Sequence, residues 1–125
     1  MLRCVMKVIE IAFTAYPVTD LRRATRFYSG TLGLKESHRW GDDAKAWVEY
    51  DIGPGTLAIT NLSDDWKPSS SGGGAGLEVE DFDVAVESLR KAGVKFLCDP
   101  QDTPVCRMVL ISDPDGNTLC IHKRK

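Results

Sequence analysis

The stretches "VTDLRRATRFYSGTLGL" and "VEDFDVAVESLRKAGV" share one framework, displaced by 61 positions: Val18, Asp20, Leu21 and Ala24 answer to Val79, Asp81, Phe82 and Ala85. In a chain of 125 residues this spacing leaves room for two copies, too few for a solenoid. Each copy places an aspartate where its carboxylate can accept from the free N–H groups of a helix start. Apolar residues then recur at helical spacing: Leu21, Ala24, Phe27, Tyr28 and Leu32 in the first copy, Phe82, Ala85, Val86 and Leu89 in the second. Arg22, Arg23 and Arg26 fall off the first stripe, and Gly33 is placed to stop that helix.

Strand-like segments surround both helices. "VIEIAFTAY" predicts a strand over Val8–Tyr16 with both faces covered, since both alternating sets are mostly apolar or neutral. Short strands are predicted near 35–39, 46–51 and 55–60, and again near 95–98, 105–112 and 117–123. The fold class that follows is α+β: two βαβββ modules in tandem, 7–62 and 75–125, in one domain over residues 1–125. Residues 63–74, rich in Ser and Gly, read as a flexible linker. Each sheet has one face for its own helix, and the two remaining faces would enclose a half-open barrel whose cleft suits a small molecule.

The composition narrows the function. A formal net charge of −2 excludes the basic footprint of a nucleic-acid partner. No apolar run reaches membrane-spanning length and no leader pattern opens the chain, which predicts a cytoplasmic protein with no membrane partner. The four cysteines form no CxxC pair, so neither a zinc site nor a disulfide framework is indicated, although Cys98 and Cys106 flank a turn. "SSSGGG" lacks the lysine and helix of a phosphate loop, and "DPDG" lacks the further carboxylates of a calcium loop.

"VTDLRRATRFYSGTLGL", "DPDGNTL" and the duplicated architecture resemble the glyoxalase/bleomycin-resistance/ring-cleaving dioxygenase superfamily, the vicinal oxygen chelate proteins. The resemblance implies a homodimer and a cup that usually holds a divalent metal on His, Glu or Gln side chains. Carried over residue by residue, the ligand positions fall on Phe13, Ala58, Gly74 and Cys120. Benzyl, methyl and hydrogen donate no electron pair, and one thiol does not hold an ion that prefers oxygen and imidazole. The expectation is a relative without metal or other cofactor, leaning away from metal-dependent chemistry. It would bind a small, partly apolar molecule in its cup, as a sequestering or resistance protein does. The alternative is a lyase, isomerase or dioxygenase of the glyoxalase type with displaced ligands drawn from His38, Glu49 or His122.

The cup-lining residues expected on this basis are Phe13, Ala58, Thr60, Arg107, Cys120 and His122. Cys120 and His122 share a strand face, but i and i+2 lie about 7 Å apart at Cα. A wall position for the thiol is therefore favoured over a nucleophile–base pair, and an exposed strand end over a catalytic base for His122. Arg107 either enters the cup to pair with an acidic group or stands at a solvated edge. Trp66, in the linker, is a candidate lid over a flat ligand. Trp40 and Trp47 read as core or rim. Glu10 is out of phase with Phe13, and Glu49 reads as a strand carboxylate with a lysine partner.

Overall fold

A computed structural model describes Lys7 and residues 9–125. The first half comprises β1 (Thr14–Pro17), α1 (Leu21–Thr25), β2 (Glu36–Gly41), β3 (Ala46–Ile52) and β4 (Gly55–Thr60). The second comprises β5 (Ala75–Glu78), α2 (Phe82–Lys91), β6 (Lys95–Phe96), β7 (Gln101–Asp102), β8 (Cys106–Ser112) and β9 (Thr118–Arg124). The strands form two open sheets, ordered β1-β4-β3-β2 and β5-β9-β8-β6, with β7 also pairing β8. In each sheet the first and last strands run parallel and the remainder antiparallel. The mixed α+β class expected from the sequence is therefore the one observed.

The two helices start alike. Asp20 accepts from the Arg23 N–H and Asp81 from the Val84 N–H, each at 3.1 Å. After one α-turn the first helix widens into a π-helical stretch over Arg26–Thr31, where the Leu32 N–H reaches back five residues to the Phe27 carbonyl. This keeps Phe27 and Tyr28 both buried on the sheet side. Gly33, at φ 72°, then turns the chain out of the helix, a conformation that costs glycine little.

The expected first strand is corrected. Val8 lies outside the described residues, and residues 9–13 precede β1 rather than belong to it. The pairing register explains the difference. Thr14 stands opposite Leu57, and β4 begins at Gly55, so residues before Ala12 have no partner in that strand. Ile9 and Ile11 are accordingly 80% and 85% exposed. Similarly, the strand expected over 95–98 ends at Phe96: the Leu97 N–H still donates to the Leu110 carbonyl, but the Leu110 N–H turns to Cys98 Sγ instead of a carbonyl, and the next strand begins at Gln101.

Each sheet has a helix-covered face and a helix-free face. Tyr16, Val48, Tyr50, Leu57 and Ile59 are buried with the first helix, and Val109, Ile111, Leu119 and Ile121 with the second, in one continuous core. Burial of each such side chain is worth about 1.5–3 kcal/mol.

"DPDGN" joins the halves. The Tyr28 hydroxyl donates to Asp113 Oδ2 at 2.9 Å, and Asp113 Oδ1 accepts the Asp115 and Asn117 N–H groups. Asn117 Nδ2 donates to the Pro17 carbonyl at 2.8 Å, and Asp115 accepts from Thr19 and Arg23. The Tyr16 hydroxyl accepts the Ala75 N–H and donates to the Thr118 carbonyl. This turn is thus a polar clasp seated on β1 and α1.

Candidate functional site

Strand alternation and register assemble the helix-free faces row by row. In the first sheet, Ala15, Ala58, Glu49 and His38 form one row, and Pro17, Thr60, Trp47 and Trp40 the next. In the second, the corresponding rows are Gly76, Cys120 and Leu110, then Glu78, His122 and Met108. The 61-residue offset carries Ala15 onto Gly76 and Pro17 onto Glu78. It also makes Cys120 the counterpart of Ala58, and His122 that of Thr60, by equivalent pairing.

The first face is aromatic. Phe13 packs edge-on against Trp47 at 5.0 Å between ring centres, and His38 stacks on Trp40 at 5.4 Å. Phe13 and Trp40 remain 46% and 53% exposed. Glu49 sits beneath them: its Oε2 accepts the Trp47 indole N–H at 2.9 Å, and His38 Nδ1 stands 3.9 Å from Oε1. The lysine partner expected for Glu49 is replaced by this indole and imidazole.

The second face carries a thiol, a thioether and an ionisable pair. Cys120 is half-buried, and burial pushes its thiol pKa up, with the neighbouring Cys106 and Cys98 thiols adding to the rise. His122 Nδ1 lies 2.6 Å from Glu78 Oε1, while Glu78 Oε2 accepts the Arg124 N–H at 2.8 Å. Those contacts hold the Glu78 carboxyl below the usual carboxylate range, the Arg124 N–H most strongly and His122 next. Cys98, Cys106 and Cys120 are free thiols.

The expected lining residues meet different fates. Phe13, Cys120 and His122 lie on or beside the helix-free faces. Ala58 lies in the first face but is fully buried. Thr60 is buried as well, its hydroxyl donating to the Ala46 carbonyl and accepting the Leu62 N–H, so its one proton is committed and burial keeps the oxygen from a ligand. Arg107 is a correction. It shares strand parity with buried Val109 and Ile111, points to the helix-covered side, donates to Asp83 at 2.9 Å and lies 4.5 Å over the Phe82 ring.

Trp66 is partly exposed and borders a cavity of about 430 Å³ between β1 and the 66–74 segment. That segment makes specific bonds: the Ser69 N–H donates to Asn117 Oδ1, and the Thr118 hydroxyl to the Ser70 carbonyl. A larger cleft of about 650 Å³ opens on the helix side, bordered by Arg23, Arg26, Phe27, Lys95 and the Asp113–Gly116 turn. Sequence reading found neither this cleft nor the Glu78–His122 pair. For the pair a signal existed, because Glu78 alternates with Gly76 and so faces the same way as Cys120.

The family's metal positions do not fit a divalent ion. Phe13 is committed to Trp47, Ala58 has only a buried methyl, and a Cβ on Gly74 would stand 2.5 Å from the Thr118 carbonyl oxygen. Among the described residues no three His, Cys, Asp or Glu side chains converge on a common point. His38 and Glu49 stay together in the first sheet, whereas His122 pairs with Glu78 in the second. No helix among the described residues is long and apolar enough to cross a membrane.

Comparison with known proteins bears on this arrangement. TnmS3, an antibiotic binding protein from Streptomyces sp. CB03234, superposes with a TM-score of 0.79 at 24% identity, covering 97% of this chain and all of its own. A glyoxalase/bleomycin resistance protein from the same organism gives 0.73 at 26% identity, covering 90% and 98% of the two chains. A superfamily member from Sphaerobacter thermophilus DSM 20745 gives 0.75 at 26% identity, covering 93% and 98%. No curated protein sequence matches the chain. The Glyoxalase/Bleomycin resistance protein/Dioxygenase superfamily pattern matches residues 10–121, from ahead of β1 into β9. With the paired sheets, the parallel closing strands and the capped helices of both halves inside that match, the chain belongs to the glyoxalase/bleomycin resistance protein/dioxygenase superfamily.

Proposed function

We propose that this protein binds a small, partly apolar molecule across its helix-free sheet faces without a divalent metal, in the manner of a sequestering or resistance protein. One observation carries the reading: the first face presents Phe13, Trp40 and Trp47 together, with two of the three rings substantially exposed. Flat apolar ligands gain from stacking on such rings as well as from the area they cover. The likeness to an antibiotic binding protein supports the same direction at the level of the fold. Donors suited to Lewis-acid chemistry are missing from the family's metal positions.

The proposal includes a homodimer in the cytoplasm, with a second copy covering the open faces and the exposed residues ahead of β1. Trp66 would close the rim.

The test is a titration with bleomycin and with planar aromatic antibiotics in EDTA, followed by tryptophan fluorescence and thermal melting. A saturable quench with a rise in Tm is expected; ligand at a hundredfold excess over Kd stabilises by about 2.7 kcal/mol. A flat response to every compound, or a response that appears only after metal is added, overturns the reading. Light scattering coupled to size exclusion checks the dimer.

A further inference from the structure

We propose that Glu78 and His122 form a metal-free general base on the second helix-free face, with His122 Nε2 accepting a proton from a weakly acidic C–H of a bound molecule. This rests on the binding reading above and adds chemistry to it.

The geometry is that of an oriented imidazole. Glu78 and His122 are register partners on the parallel strands β5 and β9, so both side chains leave the sheet on one face. Their 2.6 Å contact places the carboxylate at Nδ1. An Nδ1–H donated to a carboxylate leaves Nε2 as the basic atom and directs its lone pair away from that contact. Glu78 is itself fixed, since its second oxygen accepts the Arg124 N–H. Nε2 forms no hydrogen bond within the described residues, and the His122 side chain keeps 30% of its surface open. Met108 stands directly across from His122 on β8, and Cys120 precedes it by two on the same face.

The pair is more than a strand-end ion pair in one respect: each carboxylate oxygen has a distinct partner, so the imidazole is held in orientation as well as in charge. Burial raises the Cys120 thiol pKa, which disfavours a thiolate nucleophile on this face. In the step inferred, the C–H bond breaks, its proton moves to Nε2 and its electron pair remains on the substrate. The imidazolium is stabilised by Glu78 and returns the proton to substrate or to water.

Two measurements on the full chain test this. Long-range ¹H–¹⁵N NMR at neutral pH should show His122 as the Nδ1–H tautomer, and Glu78→Gln should change that signature. The probe reaction, in EDTA, is elimination from 5-nitrobenzisoxazole. Here a base removes the ring C–H proton, the carbon–nitrogen bond becomes a nitrile, and the N–O bond breaks to give a coloured phenolate.

Wild type should exceed His122→Asn by about a hundredfold or more, the low end of what a positioned base contributes. Glu78→Gln should fall between them, and Glu80→Gln, an exposed neighbour, should match wild type. His122→Gln replaces the Asn variant should that one not fold. Equal rates in wild type and the His122 variant, or an Nε2–H tautomer, overturn the dyad whether or not a ligand binds. The Tm shift with 6-nitrobenzotriazole, an unreactive flat analogue, is read separately and bears only on the binding reading.

Discussion

In the first half the core is phenolic, with Tyr16 and Tyr50 of the sheet and Tyr28 of the helix buried among Leu57 and Ile59; in the second the sheet is aliphatic, built on Val109, Ile111, Leu119 and Ile121, and only Phe82 of the helix is aromatic. The helix-free faces diverge in another way. The first offers indoles and a benzyl ring, the second a thiol, a thioether and a carboxylate–imidazole pair. Strand order, parallel closure and the aspartate caps are nevertheless the same. Duplication has therefore preserved what the backbone demands and left side-chain chemistry free to differ at equivalent positions. Ala58 against Cys120 is the plainest case.

The comparison can be broken first at high pH. All three tyrosines lie in the first half, and burial raises the pKa of each, Tyr28 furthest, where Asp113 adds to the effect. A phenol raised in the folded state contributes stability that is fully present below its unfolded value, about 10, and is lost as pH rises through the folded value. Urea unfolding should therefore show stability falling steadily above that pH. Tyr28→Phe should flatten the fall while lowering stability near neutrality. A slope that Tyr28→Phe leaves unchanged would remove the first half's phenols as its cause.

The next effect concerns the clasp. Asp113→Ala strips the buried Tyr28 hydroxyl and two backbone N–H groups of their acceptor. A loss of about 3 kcal/mol or more is expected in chemical denaturation, since buried groups left unsatisfied each cost about 1–3 kcal/mol. The first-half turn at Gly53–Pro54 has no such carboxylate, and Pro54→Ala should cost far less.

Gly74 and Phe13 are repeat counterparts and give a sharper pair. Gly74→Ala forces a Cβ against the Thr118 carbonyl and should destabilise by about 1–3 kcal/mol, the range for overpacking. Phe13→Ala removes a half-exposed ring and its edge-on contact, worth about 0.5–1.5 kcal/mol beyond area, and should chiefly abolish ligand-induced quenching. Smallest is the reactivity of Cys120. Its raised thiol pKa predicts slower iodoacetamide labelling at pH 8 than a free cysteine shows, and a cysteine placed at fully buried Ala58 should label more slowly still.

Much of this architecture could be read from residue order. The 61-residue offset, the two aspartate caps and the alternation in β8 and β9 are local patterns, and local patterns survive folding intact. "DPDGN" was legible as a turn but not as a clasp, because Tyr28, Thr19 and Pro17 lie 85, 96 and 100 residues from their partners. The β1 boundary depended on where β4 begins, a matter of pairing that no single strand reveals. Arg107 stayed open between cup and edge because both alternating sets of β8 are apolar, Val109 and Ile111 on one side and Met108 and Leu110 on the other; only packing against the second helix decides its side. Thr60 carries a hydroxyl, yet it is buried and its proton goes to the Ala46 carbonyl.

The spacing at Gly74 has a consequence for anyone wishing to install a cation site here. Replacing Phe13, Ala58 and Cys120 by imidazole and carboxylate is a matter of swapping side chains, but the remaining corner is shut by main chain. The β8–β9 hairpin would have to be displaced before a histidine could stand there. A successful graft would begin by rebuilding that hairpin's seat on the opposite half, and only afterwards introduce the donors.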